Sequence, residues 1–137
     1  MKSFKKSILA AGLALAVVTT IGGVAVFAAV NPPEVTSPST IAGYYVTGKS
    51  DMKYNYAYAY TSYGGYADTL MVESTYRYWD NLHGISVTQY KKTSHYKSAR
   101  VEFYAPAGCT STNISSKHYL SKSGQHWDAK TFDDKQA

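Results

Sequence analysis

From Tyr54 to Tyr60 every second residue is a tyrosine, with Asn55, Ala57 and Ala59 between them. A period of two puts all four rings on one side of a pleated strand and the small residues on the other. A helix would scatter the same rings around its circumference. This stretch therefore fixes the local structure as extended, over Lys53–Ser62. Gly64-Gly65 then marks a turn.

The same period recurs along the chain. In "DTLMVESTYRYWD", Asp68–Trp79 alternates cleanly. Leu70, Val72, Ser74, Tyr76 and Tyr78 form the expected core face, and Thr69, Met71, Glu73, Thr75, Arg77 and Trp79 the opposite one. Asp80, Asn81 and Gly84 supply turn chemistry. "ISVTQYKK" alternates again, with a turn expected within "KTSHYK". In "SARVEFYA", Ala99, Val101, Phe103 and Ala105 point inward and Arg100, Glu102 and Tyr104 outward, with Pro106 and Gly108 ending the strand. "NISSKHYL" and "HWDAKTF" read as a hairpin turning near Ser123-Gly124, and Gly43–Thr47 as a first, weak strand. Tyr, Thr and Val favour pleated surfaces, and no amphipathic helical period is found downstream of the N-terminal segment. The expected fold is all-β: a small antiparallel β-sandwich of about six or seven strands, with a small β-barrel as the alternative.

The ends of the chain give an address. Lys2, Lys5 and Lys6 precede an uncharged run from Ser7 to Ala29 that closes in small residues. This is the pattern of a secretory signal peptide, residues 1–29. If uncleaved, the run is long enough to anchor the chain in a membrane. Residues 30–41 hold Pro32, Pro33 and Pro38 and read as a disordered spacer. Residues 42–132 form a single β domain, and 133–137 a polar tail. The expected location is extracellular, secreted or held at the cell surface.

The formal charge of +5 includes three signal-peptide lysines, so the mature chain is near +2, with 11 basic against nine acidic residues. That balance, with no recognisable motif, excludes a general nucleic-acid binder. Cys109 is the one cysteine, so no internal disulfide is available. It reads as an inert buried thiol, as the link of a disulfide-bonded dimer, or, least of all, as a nucleophile.

No catalytic constellation emerges. His83, His95, His118 and His126 form no metal-ligand spacing. A two-residue loop at Ser123-Gly124 would pair position 118 with 129 and put His118 and His126 on opposite faces, whereas a loop with an odd number of residues would put them on the same face; both read as solvated turn histidines. Glu73 and Glu102, the glutamates of the expected strands, are assigned to solvent faces rather than to a shared cleft. No phosphate-binding or dinucleotide fingerprint appears, so no cofactor, metal or enzymatic activity is expected.

Two binding surfaces are candidates. The first is Tyr54, Tyr56, Tyr58 and Tyr60, since tyrosine rings stack on partners at low entropic cost. Their strand has two possible orientations: rings inward with alanines outside, or alanines under bulky residues of another sheet with rings outside. Burying large rings gains about 25 cal/mol per Å², which favours covering part of the row. The second is "QYKKTSHYKSAR", where a hairpin would gather Tyr90, Lys91, Lys92, Tyr96, Lys97 and Arg100. The expected function is an exported non-catalytic domain binding a glycan, cell-wall polymer or surface protein of the bacterial envelope. The alternative is a small secreted antagonist, bacteriocin-like or toxin-like, acting on another cell's envelope. An envelope hydrolase is disfavoured.

Overall fold

The computed structural model describes residues 33–134. The segment read as a signal peptide, the start of the segment read as a spacer and the last three residues lie outside the described residues. The strands are β1 (Glu34–Val35), β2 (Ser39–Ile41), β3 (Tyr44–Met52), β4 (Tyr56–Tyr63), β5 (Thr69–Asp80), β6 (Ile85–His95), β7 (Ser98–Tyr104), β8 (Cys109–Lys122) and β9 (Gln125–Asp134). Seven of these answer to the strands expected from the alternation, several of them longer than expected. The count among the described residues is nine rather than six or seven because β1 and β2 form within the segment read as spacer. Both pair antiparallel with the same edge of β3. An edge tolerates this Pro-rich sequence because Pro38 has no ladder bond to donate there. Thr36 ties the segment down, its amide donating to Gly48 O and its hydroxyl accepting from Gly48 N, each at 3.0 Å. At the other end β9 extends through Asp133 and Asp134, two residues assigned to the tail.

Two antiparallel sheets result. One runs β1-β3-β4-β7 with β2 also on β3, and the other runs β6-β5-β8-β9. The apolar core lies between them, and it is asymmetric. Apart from Phe103 near the end of β7, the inward residues of β4 and β7 in the first sheet are mostly small, Ala57, Ala59, Ala99 and Val101 among them. The second sheet contributes large ones, Leu70, Val72, Tyr76, Ile114 and Leu120. Tyr76 packs 5.2 Å from the Phe103 ring, and its hydroxyl reaches Ser111 Oγ at 2.7 Å. Large-against-small packing explains why the alanines, not the tyrosines, face inward on β4.

The alternation in β8 changes phase midway. Cys109 and Ser111 point inward at odd positions, then Ile114, Ser116, His118 and Leu120 at even ones. The cause is a β-bulge: Arg77 pairs with Asn113 while Tyr78 pairs with Ser111, leaving an extra residue on β8. Beyond it, the Ser123-Gly124 loop pairs His118 with Ala129, as a two-residue turn requires.

That register corrects the reading of His118. It is 1% exposed, not solvated. Its Nδ1 lies 2.8 Å from Thr61 Oγ1 and its Nε2 2.8 Å from Thr131 Oγ1. Thr61 donates its hydroxyl proton to Met71 O at 2.9 Å, so it accepts from Nδ1–H and leaves Nε2 as the acceptor. Ser50, Ser74 and Ser116 continue this chain of hydroxyls between the sheets. Desolvation holds His118 near a pKa of about 4, so the ring is neutral at physiological pH. His126, by contrast, is exposed at the hairpin end.

Candidate functional site

With the alanines inward, the β4 tyrosines stand on the outer face of the first sheet. Register then decides their neighbours. Lys49, Tyr60 and Arg100 align across β3, β4 and β7; Asp51, Tyr58 and Glu102 align in the next row; Tyr56 pairs with Tyr104 in the third. Directly opposed residues share a face, so these rows form one continuous surface. Tyr56, Tyr58 and Tyr60 are half-buried, whereas Tyr104 is 61% exposed. Their partial cover comes from one another and from the flanking charged side chains, not from the second sheet.

The Arg100 guanidinium organises the surface. It lies 3.9 Å from the Tyr58 ring centroid, with Lys49 Nζ at 5.7 Å from the same ring. Arg100 Nε donates to Glu102 Oε2 at 2.7 Å, and Nη2 donates to the Tyr56 hydroxyl at 3.1 Å. Tyr104 donates its hydroxyl to Glu102 Oε1 at 3.1 Å. The rings form a chain: Tyr104 to Tyr56 at 4.9 Å, Tyr56 to Tyr58 at 5.9 Å, Tyr58 to Tyr60 at 6.3 Å and nearly parallel. The Arg100 hydrogen bond, followed by that of Tyr104, holds the Glu102 carboxyl below its usual range. Burial works against the Arg100 charge, yet Glu102 and Tyr56 raise its pKa above the ordinary arginine value. Lys49 behaves alike: burial opposes its charge, and Tyr58 overcomes it. The planar fork of arginine suits this task, since one side chain can stack on a ring and donate in its own plane.

Beside Tyr58, Asp51 is only 4% exposed. Its Oδ2 lies 3.2 Å from Lys53 Nζ, and its Oδ1 has no hydrogen-bond partner among the described residues.

Tyr54 leaves the row. It precedes β4, and its hydroxyl sits 3.5 Å from Thr110 Oγ1 at the start of β8. The basic set expected around the hairpin does not gather into one cluster. Tyr90 and Lys92 lie on the outer face of the second sheet, opposite Thr75 and Glu73. Lys91 seals the seam between β6 and β7, donating to Glu102 O at 2.6 Å with its ammonium 5.4 Å from the Phe103 ring. Tyr96 stacks on Tyr66 at 5.5 Å, while Lys97 covers Tyr66 and donates to Gly64 O at 3.1 Å. Arg100 belongs with the tyrosines instead. Lys49, Asp51, Glu102 and Tyr104 escaped selection as site residues. The alternation already placed Glu102 and Tyr104 outward, but only the strand register puts them beside Tyr58 and Tyr56.

Glu73 and Glu102 stand on the outer faces of different sheets. Among the described residues no three His, Cys, Asp or Glu side chains gather at ligand spacing. Cys109 is 3% exposed, and burial, with the Asp80 charge adding, pushes its thiol pKa up. Comparison with protein families, with curated proteins and with solved structures finds no match to this chain.

Proposed function

We propose that this chain is an exported, non-catalytic β-sandwich that binds a glycan of the bacterial cell envelope through the outer face of its first sheet. The observation that carries the reading is the row Tyr104–Tyr56–Tyr58–Tyr60, held in place by Arg100 and Glu102. Aromatic rings offer flat apolar faces to sugar rings, and rings fixed before binding lose little entropy on binding. The unpaired Asp51 Oδ1 adds an acceptor for a sugar hydroxyl, reached if the exposed Lys53 swings away. Satisfying it relieves a desolvation cost of about 1–3 kcal/mol.

The test is retention of the mature protein on peptidoglycan and on soluble cell-wall glycans, followed by calorimetry. A Tyr60→Ala, Tyr104→Ala double variant weakens binding at least tenfold, while Tyr66→Ala at the far end leaves it unchanged. Absence of retention at low salt would sink the proposal.

A second reading, the secreted antagonist, is favoured by the tip of the β5–β6 hairpin. There Leu82 is 83% exposed, and its loop is braced by hydrogen bonds: Leu82 N and His83 N both donate to Asp80 Oδ1, at 2.9 and 3.1 Å. A braced, protruding leucine suits contact with a lipid surface or an apolar pocket. Killing assays comparing the native protein with Leu82→Ser decide it; inactivity of both across a broad strain panel rejects the antagonist.

A further inference from the structure

The outer face of the second sheet carries a charge arrangement that the tyrosine face does not explain. Lys92, Glu73, Lys117 and Lys130 stand in one line across β6, β5, β8 and β9. Four strands at about 4.8 Å spacing make the line about 14 Å long. Glu73 lies between Lys92 and Lys117, but Lys117 and Lys130 face each other directly with no acidic residue between them. Like charges directly opposed across a strand pair are destabilising. Among the described residues, none of the three lysines makes an ion pair. Edge protection does not account for Lys117, because β8 is a central strand.

The surroundings suit an extended ligand. In the next row Tyr90 and Phe132 stand at the two ends with Thr75 and Ser115 between them, and both rings are more than half exposed. The face is thus open along the line and offers hydroxyl donors beside it. Lysine ammonium groups bind phosphate oxygens as point charges with three donors each. We infer that this face is an anion-binding surface that takes a linear, phosphate-bearing polymer along Lys92, Lys117 and Lys130. It lies on the other sheet from the tyrosine face, so the two surfaces are separable by mutation.

Long-chain inorganic polyphosphate is the probe, titrated calorimetrically into the mature protein at about 20 mM and about 150 mM salt, where screening differs strongly. Binding is expected at low salt and weaker at high salt. Lys117→Gln with Lys130→Gln weakens it at least tenfold, whereas Lys97→Gln, at the β6–β7 turn, leaves it unchanged. Unliganded Lys130→Gln melts at or above the native temperature, because a repulsion has been removed, and polyphosphate raises its Tm less than it raises that of the native protein. Three results would each overturn the inference: no binding at low salt, equal loss in the Lys97→Gln control, or a lower Tm for Lys130→Gln. Binding to vesicles of anionic phospholipid without binding to polyphosphate would overturn it in favour of a membrane surface. Retained glycan binding by the Lys117→Gln, Lys130→Gln protein separates this outcome from that of the tyrosine face.

Discussion

Gly48 lies in mid-strand, where glycine normally weakens a sheet. It is there because the His118 ring fills the space a side chain would need. A Cβ at position 48 would sit 2.5 Å from His118 Cγ and 2.7 Å from Cδ2 and Nδ1. The ring cannot retreat without breaking its bonds to Thr61 and Thr131. Gly48→Ala is therefore expected to destabilise the protein by about 1–3 kcal/mol in urea unfolding, the range for overpacking. His118→Ala in the same chain removes the clash, so the double variant loses less than the two single losses together. Additive losses would contradict the packing account. Cys109 gives a second check at this scale. Its buried, protonated thiol should react with an aromatic disulfide reagent only after unfolding. Rapid reaction of the native protein would mean that the start of β8 opens.

The β8–β9 hairpin shows how far local sequence reaches. Ser123 and Gly124 both have positive φ, 49° and 80°, as a type I′ turn demands. Serine is a poor occupant of that conformation, and asparagine is a good one. Ser123→Asn should stabilise by about 0.5 kcal/mol and raise Tm by about 2–4 °C, while the Ser123 amide keeps its bond to Asp68 Oδ2. An unchanged or lower Tm would contradict the assigned turn. The position of this turn was legible in the sequence, as were the inward faces of β5 and β7, because alternation and turn residues are local signals; its two-residue length was not, because Ser-Gly fits loops of more than one length. The bulge in β8 was not, since it shifts the phase within one strand without a glycine to mark it. The burial of His118 was hidden for a related reason, as it depends on the opposite sheet offering Gly48, Thr61 and Thr131. The tyrosine row was visible as a row, but its orientation rested on which sheet brings the larger side chains. Lys49 and Asp51 were missed because nothing in "GKSDM" alternates in hydrophobicity, although β3 runs through it. Lys91, Lys97 and Arg100 lie close in sequence yet serve three different surfaces, because a hairpin that crosses between sheets separates its own neighbours.

At the scale of the whole molecule, two buried titratable groups pull stability in opposite directions with pH. His118 keeps a pKa of about 4 in the fold, against 6.5 when exposed, because burial penalises its charge. Asp133 is raised from 3.8 to about 8, first by desolvation and then by the charges of Asp51 and Asp134, against the Met52 amide that donates to its Oδ2 at 2.9 Å. Below pH 6.5 the unfolded chain takes up a proton at His118 that the folded chain refuses, so this group's contribution falls as the solution is acidified towards pH 4. Above pH 3.8 the unfolded chain releases a proton at Asp133 that the folded chain keeps, so that contribution falls as pH rises towards 8. Each slope approaches about 1.4 kcal/mol per pH unit. Between pH 5 and 6.5 the two oppose each other, and above 6.5 only Asp133 acts, so native stability should be nearly level and then decline towards pH 8. Asp133→Asn keeps an acceptor for the Met52 amide and removes the second slope. Its urea-unfolding free energy should stay level above pH 6.5 and decline on acidification below it, where His118 acts alone. Superimposable pH curves for the native and Asp133→Asn proteins would show that Asp133 is ionised in the fold and that its corner, where β9 meets β3, admits water.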